Sequence, residues 1–338
     1  MYDEKRRDRE ESNINSCVRV ASFDLQKCLP TPFLRCGQAF YRRQLYTLNL
    51  SVFESYNGKN EAYCYLWNES IARRGAQEIG SCILYDVQRV LNSTPSNKTQ
   101  TEPLKLIYYS DRCSGQNHNF IMCMMFLNII DQCQREGREA TIIHKFMISG
   151  HSHMEVDSIH AAIERSKKRS TIDIETPRDW ALFISQVRRK IPINVVELDQ
   201  TKFLALKNLN IRFNRPKYNT DGPVIKLRDI IWFEYRTTAP GRVFYKQNVE
   251  DDYSCFIAIN EAPHSEPYYL TPLNLEPIPL SQEKLEDLRN LLPFVSNKQY
   301  YEVMLKNLVV KKRGRKKLSK CDDHFEDDMD RLEEEYIK

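Results

Sequence analysis

The sequence predicts an α/β fold, a mixed sheet with helices on its faces, and three observations carry that prediction. Residues 18–68 read almost wholly as strand, folded about an Asn-Gly pair. At Gly75 the apolar period changes from that of a strand to that of a helix. From there to about residue 190 strands and helices alternate, giving the order β-β-β-α-β-α-β-α. A meander followed by alternation specifies both antiparallel and parallel neighbours in one sheet.

Each element has its own warrant. In 18–25, Val18, Val20, Ser22 and Asp24 share one face of a strand. A turn with Pro30 and Pro32 follows. The runs 39–55 and 61–67 flank Asn57-Gly58, a pair that tolerates the left-handed backbone of a two-residue hairpin turn. Ile79, Ile83, Val87 and Val90 recur at helical spacing to about Leu91, and 93–103 is loop by composition. Residues 104–111 form a strand whose last residue is acidic. The helix 121–133 is too apolar to face water, so it is covered on both sides. A strand over 141–148 leads through a loop into a helix that begins near Asp157. Thr176 and Pro177 read as N-cap and first residue of another helix, with Trp180, Ile184 and Val187 on one stripe.

Beyond Pro192 the pattern is a smaller β-rich and helical extension. Candidate strands are 195–198, 203–206, 224–235, 242–246 and 255–259. A Ser281-capped helix carrying Leu285, Leu288 and Leu292, then a second over 300–308, are expected to pack against this β-rich module. The organisation predicted is a charged N-terminal segment that reads as a truncated helix (1–17), a core (18–190), a β-rich module (191–262), a helical pair (263–310) and a basic-then-acidic disordered tail (311–338).

Composition bounds the function. With 338 residues, 41% of them hydrophobic, the chain can bury a large core. No apolar run approaches the ~18 residues of a membrane span, and the charged start has no secretory signal. Ten cysteines contain no C-x-x-C pair, which argues against a zinc finger and for reduced thiols in an intracellular protein. The net charge of +4 is concentrated: residues 164–190 carry eight bases and four acids, so this stretch alone sums to +4.

Four acids fall at telling places: Asp24 near the end of the first strand, Glu78 in the first helix, Asp111 ending the fourth strand and Asp157 opening the helix after the fifth. Adjacent strand ends and a facing helix can gather such carboxylates on rigid supports. Two Mg²⁺ ions about 3.5–4 Å apart, held by carboxylates, suit in-line phosphoryl transfer. Asp111 also heads the polar turn 111–117 (DRCSGQN), where α/β sheets place ligands. On the later helix Asp157, His160 and Glu164 flank the apolar stripe, with Glu164 about 10 Å further along the axis and so a reserve. Five of seven histidines lie between 118 and 160, which allows a rival transition-metal site of His151, His153, Asp157 and His160. His144, inside a strand, reads as a core residue.

This order and acid placement resemble the ribonuclease H-like superfamily, which includes DDE transposases and integrases. A closer resemblance rests on D-x-C-x-G-Q-N, the following G-H-x₅-D, and T-P-R-D-W at 176–180, together with 23–26 (FDLQ), 67–69 (WNE) and Arg74-Gly75 with Glu78. From about Val18 to Leu308 the chain resembles an uncharacterised, transposon-derived animal family with a ribonuclease H-like domain of unknown function. That resemblance implies a metal-binding and catalytic triad of Asp24, Asp111 and Asp157, with Glu78 as a fourth carboxylate and Mg²⁺ or Mn²⁺ as cofactor. Related proteins usually carry a Cys/His-rich segment upstream, so the chain looks truncated.

The partner expected is DNA. Lys167, Lys168, Arg169, Arg188, Arg189 and Lys190 form the basic patch beside the acids, and Arg313 and Arg315 belong to a six-cation run over 311–317 that reads as nuclear localisation or a nucleic-acid contact. No membrane and no small-molecule cofactor are expected, and a homo-oligomer is allowed. Two functions remain open: a divalent-metal-dependent nuclease or transposase, and a domesticated, catalytically inactive DNA- or chromatin-binding protein.

Overall fold

The computed structural model describes residues 1–94, 103–147, 154–187, 189–260 and 268–311. The chain builds one ten-stranded mixed sheet with helices on both faces. Strand β1 (Val18–Leu25) lies at its centre, antiparallel to β3 (Leu45–Tyr56), which pairs antiparallel with β4 (Lys59–Asn68). On its other side β1 is parallel to β5 (Leu104–Ser110), and β5 to β6 (Ala140–Phe146). The short β2 (Leu29–Thr31), inside the expected proline turn, pairs with β3. The hairpin turns where expected: Asn57 and Gly58 both have positive φ, 47° and 70°, between Tyr56 and its partner Lys59.

Helices divide between the faces. α3 (Ala76–Ser93) and α4 (Phe120–Arg135) pack on the face that carries Ala21, Phe23, Leu106 and Tyr108. α4 is covered on both sides as its composition requires, by the sheet beneath and by a 3₁₀ segment, Leu206–Ile211, outside. The opposite face, with Val18, Val20, Ile107 and Tyr109, takes α5 (Asp157–Arg169) and α6 (Pro177–Ser185) through Ile159, Ile163, Trp180 and Ile184. α6 starts with the cap foreseen: Asp179 accepts the Thr176 N–H at 2.8 Å and the Thr176 hydroxyl at 3.0 Å.

Three expectations are corrected. The residues of 191–262 do not stand apart from the core. β7 (Ile193–Glu197) joins one edge of the sheet, parallel to β4, while β8 (Trp232–Arg236), β9 (Arg242–Lys246) and β10 (Ser254–Ile257) extend the other edge from β6. The run 203–206 is not a strand, because Phe203 and Leu206 point into the α3–α4 layer, and the run 224–235 is extended sheet only from Trp232 onward. The helical pair α7 (Gln282–Asn290) and α8 (Lys298–Lys306) packs beside the start of β3, not on a β-module: Leu280 and Leu288 meet Leu45, and Lys284 pairs with Glu69 at 2.8 Å. The charged N-terminal segment is helical, as expected, and this helix, α1 (Tyr2–Ile14), is docked on the sheet with Lys5, Asp8 and Ser12 buried. Its charges find partners across the sheet, which a local reading of a charge run does not foresee.

Candidate metal centre

Strand register places the first two acids. β1 and β5 are parallel with Ser22 opposite Tyr109, so two residues further on Asp111, just past the end of β5, is level with Asp24. Both stand on the face that α5 covers, because alternate residues of a strand share a face. α5 supplies the third acid in its first turn. Buried Met154, Val156, Ile159 and Ile163 fix this end of α5 against the sheet, and the Asp157 carboxylate accepts the Met154 N–H at 2.7 Å. Three residues on, His160 lies on the same side of the helix.

These placements converge. One ligand atom each from Asp24, Asp157 and His160 lie within 4.8 Å of one another, a group that could hold a metal ion. His160 Nδ1 is 4.0 Å from Asp24 Oδ2. Asp111 lies close enough to act on Asp24 electrostatically but stands outside that tightest group. Its Oδ1 accepts a 2.6 Å hydrogen bond from Asn117 Nδ2 and a 3.2 Å bond from the Cys113 N–H. The polar turn 111–117 therefore orients the carboxylate at its head. Asn117 is itself buried, with its side-chain oxygen unpartnered.

The electrostatics describe a site short of positive charge. Burial first, and then the negative charges of Asp111 and Asp157, together raise the Asp24 carboxyl to about 7. Burial drives the His160 imidazole down to about 4 against the pull of Asp157, so at neutral pH the ring is uncharged and offers a lone pair. Its Nε2 is buried with no hydrogen-bond partner. Crowded carboxylates, a neutral imidazole and an orphaned ring nitrogen fit a divalent cation, whose charge would remove the cost of ionising Asp24.

The other site expectations fall in different places. Glu78 belongs to α3 on the opposite face and is engaged as a cap, accepting the Gly75 N–H at 3.1 Å. Glu164 is exposed on α5 and is not part of the group. His144 is a core residue: it is buried, its Nε2 is 2.9 Å from Ser110 Oγ, and burial pushes it down to about 3. His151 and His153, and with them half of the rival histidine site, lie outside the described residues, as do Arg188, Arg313 and Arg315.

Of the basic patch, Lys168, Arg169 and Lys190 are exposed. Arg189 donates from Nη2 to Ser158 Oγ at 2.9 Å, beside Asp157, and its Nη1 is buried without a partner. Lys167 is a correction: it is buried, 4.6 Å above the Phe33 ring, and donates to the Ile172 carbonyl, so it offers no contact to a nucleic acid. Its apolar stem and the two phenyl rings beside it draw it inward. The sequence reading included Asn117 in the polar turn 111–117 but gave it no role of its own. Its signal was a polar residue six positions past Asp111, just before a helix whose first eight residues are apolar.

No family model, curated protein or solved structure matches this chain. Among the described residues no helix is long and apolar enough to cross a membrane.

Proposed function

We propose that the chain is a transposase-derived protein of ribonuclease H type that carries out divalent-metal-dependent phosphoryl transfer on DNA. The observation that carries this reading is the convergence on Asp24. Asp111 stands level with it just past the end of the neighbouring parallel strand, Asp157 and His160 come from the helix above, and burial together with the two acids holds the Asp24 proton to about 7.

The topology supports the same reading. Within the wider sheet the strands run β4-β3-β1-β5-β6, antiparallel on one side of β1 and parallel on the other, with α5 following β6. With the short β2 set aside, that succession agrees with the β-β-β-α-β-α-β-α order expected of a ribonuclease H-like core.

Mg²⁺ or Mn²⁺ held here would polarise a phosphoryl oxygen and activate a water or a 3′-hydroxyl for in-line attack. Asp24, Asp111 and Asp157 would supply the carboxylate oxygens, and His160 a neutral nitrogen that favours Mn²⁺ over the oxygen-loving Mg²⁺. Asn117 keeps Asp111 oriented. Lys168 and Arg169, exposed at the far end of α5, lie about 17 Å along the helix from Asp157, roughly five phosphates along one strand.

A nicking assay on supercoiled DNA with Mn²⁺ tests the reading. Wild type is expected to nick, and Asp111→Asn to lose at least about 100-fold in rate. Equal activity of the two proteins contradicts the assignment of Asp111. Absence of activity in both, with DNA still bound, turns the reading to a domesticated binding protein.

A further inference from the structure

We propose that α1 is a clasp on the corner that carries Asp157, so that the affinity of the site for its metal is set from the N-terminal helix through Glu155. This inference rests on the metal-site reading above and names positioning residues for it. Glu155 lies two residues before Asp157, between buried Met154 and Val156. Two cations of α1 hold it: Lys5 Nζ at 3.2 Å from Oε2 and Arg9 Nη1 at 2.7 Å from Oε1. Lys5 is 5% exposed, so its arm of the clasp is largely shielded from water, while the Arg9 arm, with that side chain 36% exposed, is the weaker of the two.

A clasp must itself be anchored, and α1 is. Asp8 pairs at 2.6 Å with Lys145, a buried β6 residue whose ammonium sits 3.6 Å over the Trp232 ring. The Tyr109 hydroxyl, two residues before Asp111, donates to the same Asp8. Glu11 pairs with Lys105 of β5 at 2.9 Å, and the Ser12 carbonyl accepts the Asn57 N–H of the hairpin at 2.6 Å. α1 is thus tied to β5, to β6 and to the hairpin, and its first two turns reach back to the loop that opens α5. Loss of the Glu155 contacts frees the Met154–Asp157 turn, in which the Asp157 carboxylate accepts the Met154 N–H. Partners that orient a ligand in this way are worth about 10–100-fold in metal affinity.

The test uses the whole chain and Mn²⁺ alone as probe, with calorimetric titration of wild type, Glu155→Gln, Arg9→Glu and a swap that combines Arg9→Glu and Glu155→Arg with Lys5→Met, so that no like charge faces the new arginine. Amide hydrogen exchange over 155–160 is measured on the same proteins without metal. The expected result is about tenfold weaker Mn²⁺ binding in both single variants, faster exchange at the start of α5, and recovery of both in the swap. Should Glu155→Gln fail to fold, Lys5→Met removes one arm of the clasp and is expected to weaken binding several-fold. Unchanged affinity and exchange in folded single variants overturn the proposal, as does a loss that the swap leaves in place. If wild type itself binds no Mn²⁺, the metal reading fails. The exchange data then still decide whether α1 holds the corner.

Discussion

Glu54 and Asp86 meet between α3 and one face of the sheet, and Asp24, Asp111 and Asp157 gather on the other. The first group is buried and the second half-buried, and among the described residues only the first is given its own cations. Glu54 receives Arg19 at 3.0 Å and Arg89 at 2.8 Å. Asp86 receives Arg89 at 2.9 Å and the hydroxyls of Tyr65 and Tyr108 at 2.9 and 3.0 Å. Burial would weaken the Arg89 charge, yet Asp86 and Glu54 outweigh it and hold the guanidinium more firmly protonated. Among the described residues the second group has a neutral imidazole as its nearest neighbour, and it keeps a proton on Asp24 near neutrality. The contrast separates acids that brace a fold from acids that await a cation from outside.

The largest effect is expected where the cations are built in. Arg89→Met leaves Glu54 and Asp86 buried with much of their compensation gone, and should cost about 3–5 kcal/mol in urea denaturation. Mn²⁺ should not restore that loss. A smaller effect appears in pH. Below about 7 a proton on Asp24 competes with the metal, so Mn²⁺ affinity should fall about tenfold per pH unit on the acid side and level off above. Titrations in buffers on either side of pH 7 check this, and a flat profile would break the comparison.

Histidine gives the next effect, with the opposite sign. The folded-state value of His160, about 4, and of His144, about 3, lie below the 6.5 of the free side chain. Their contribution to stability is present above about 6.5 and declines as pH falls toward those values. Acid denaturation of His160→Gln should therefore lose part of the slope seen in wild type across this window. The smallest expected effect is Asn117→Ala, which removes the 2.6 Å bond to Asp111 and should weaken Mn²⁺ binding by a few-fold.

The first 190 residues were largely legible because their signals are local. Asn57-Gly58 announces its turn, the Thr176 cap its helix, and the apolar run in α4 its burial on two sides. Asp24 and Asp111 could be picked out because each ends a strand, and parallel neighbours bring their ends together. What stayed hidden depends on pairing distant in sequence. β7 finds β4 and β8 finds β6 only once the sheet exists, so 191–262 looked like a module of its own. The charged N-terminal stretch could be read as a helix but not as a docked one, because its partners Lys145 and Glu155 lie more than 130 residues away. Lys167 and His160 show the same limit from the other side: burial, which sequence spacing does not report, turned one away from a ligand and the other toward one.

Thermal denaturation of wild type and Asp24→Asn at about pH 8, each with and without Mn²⁺, tests the central claim most directly. Above its folded-state value of about 7 Asp24 is ionised among Asp111 and Asp157, so its stabilising neutral form has been lost. Asp24→Asn should then make the metal-free protein more stable by about 1–3 kcal/mol, the worth of one or two pKa units. Mn²⁺ should raise the Tm of wild type and leave that of the variant nearly unmoved. A wild-type Tm indifferent to Mn²⁺, or an equal gain in both proteins, would contradict a metal centre at Asp24.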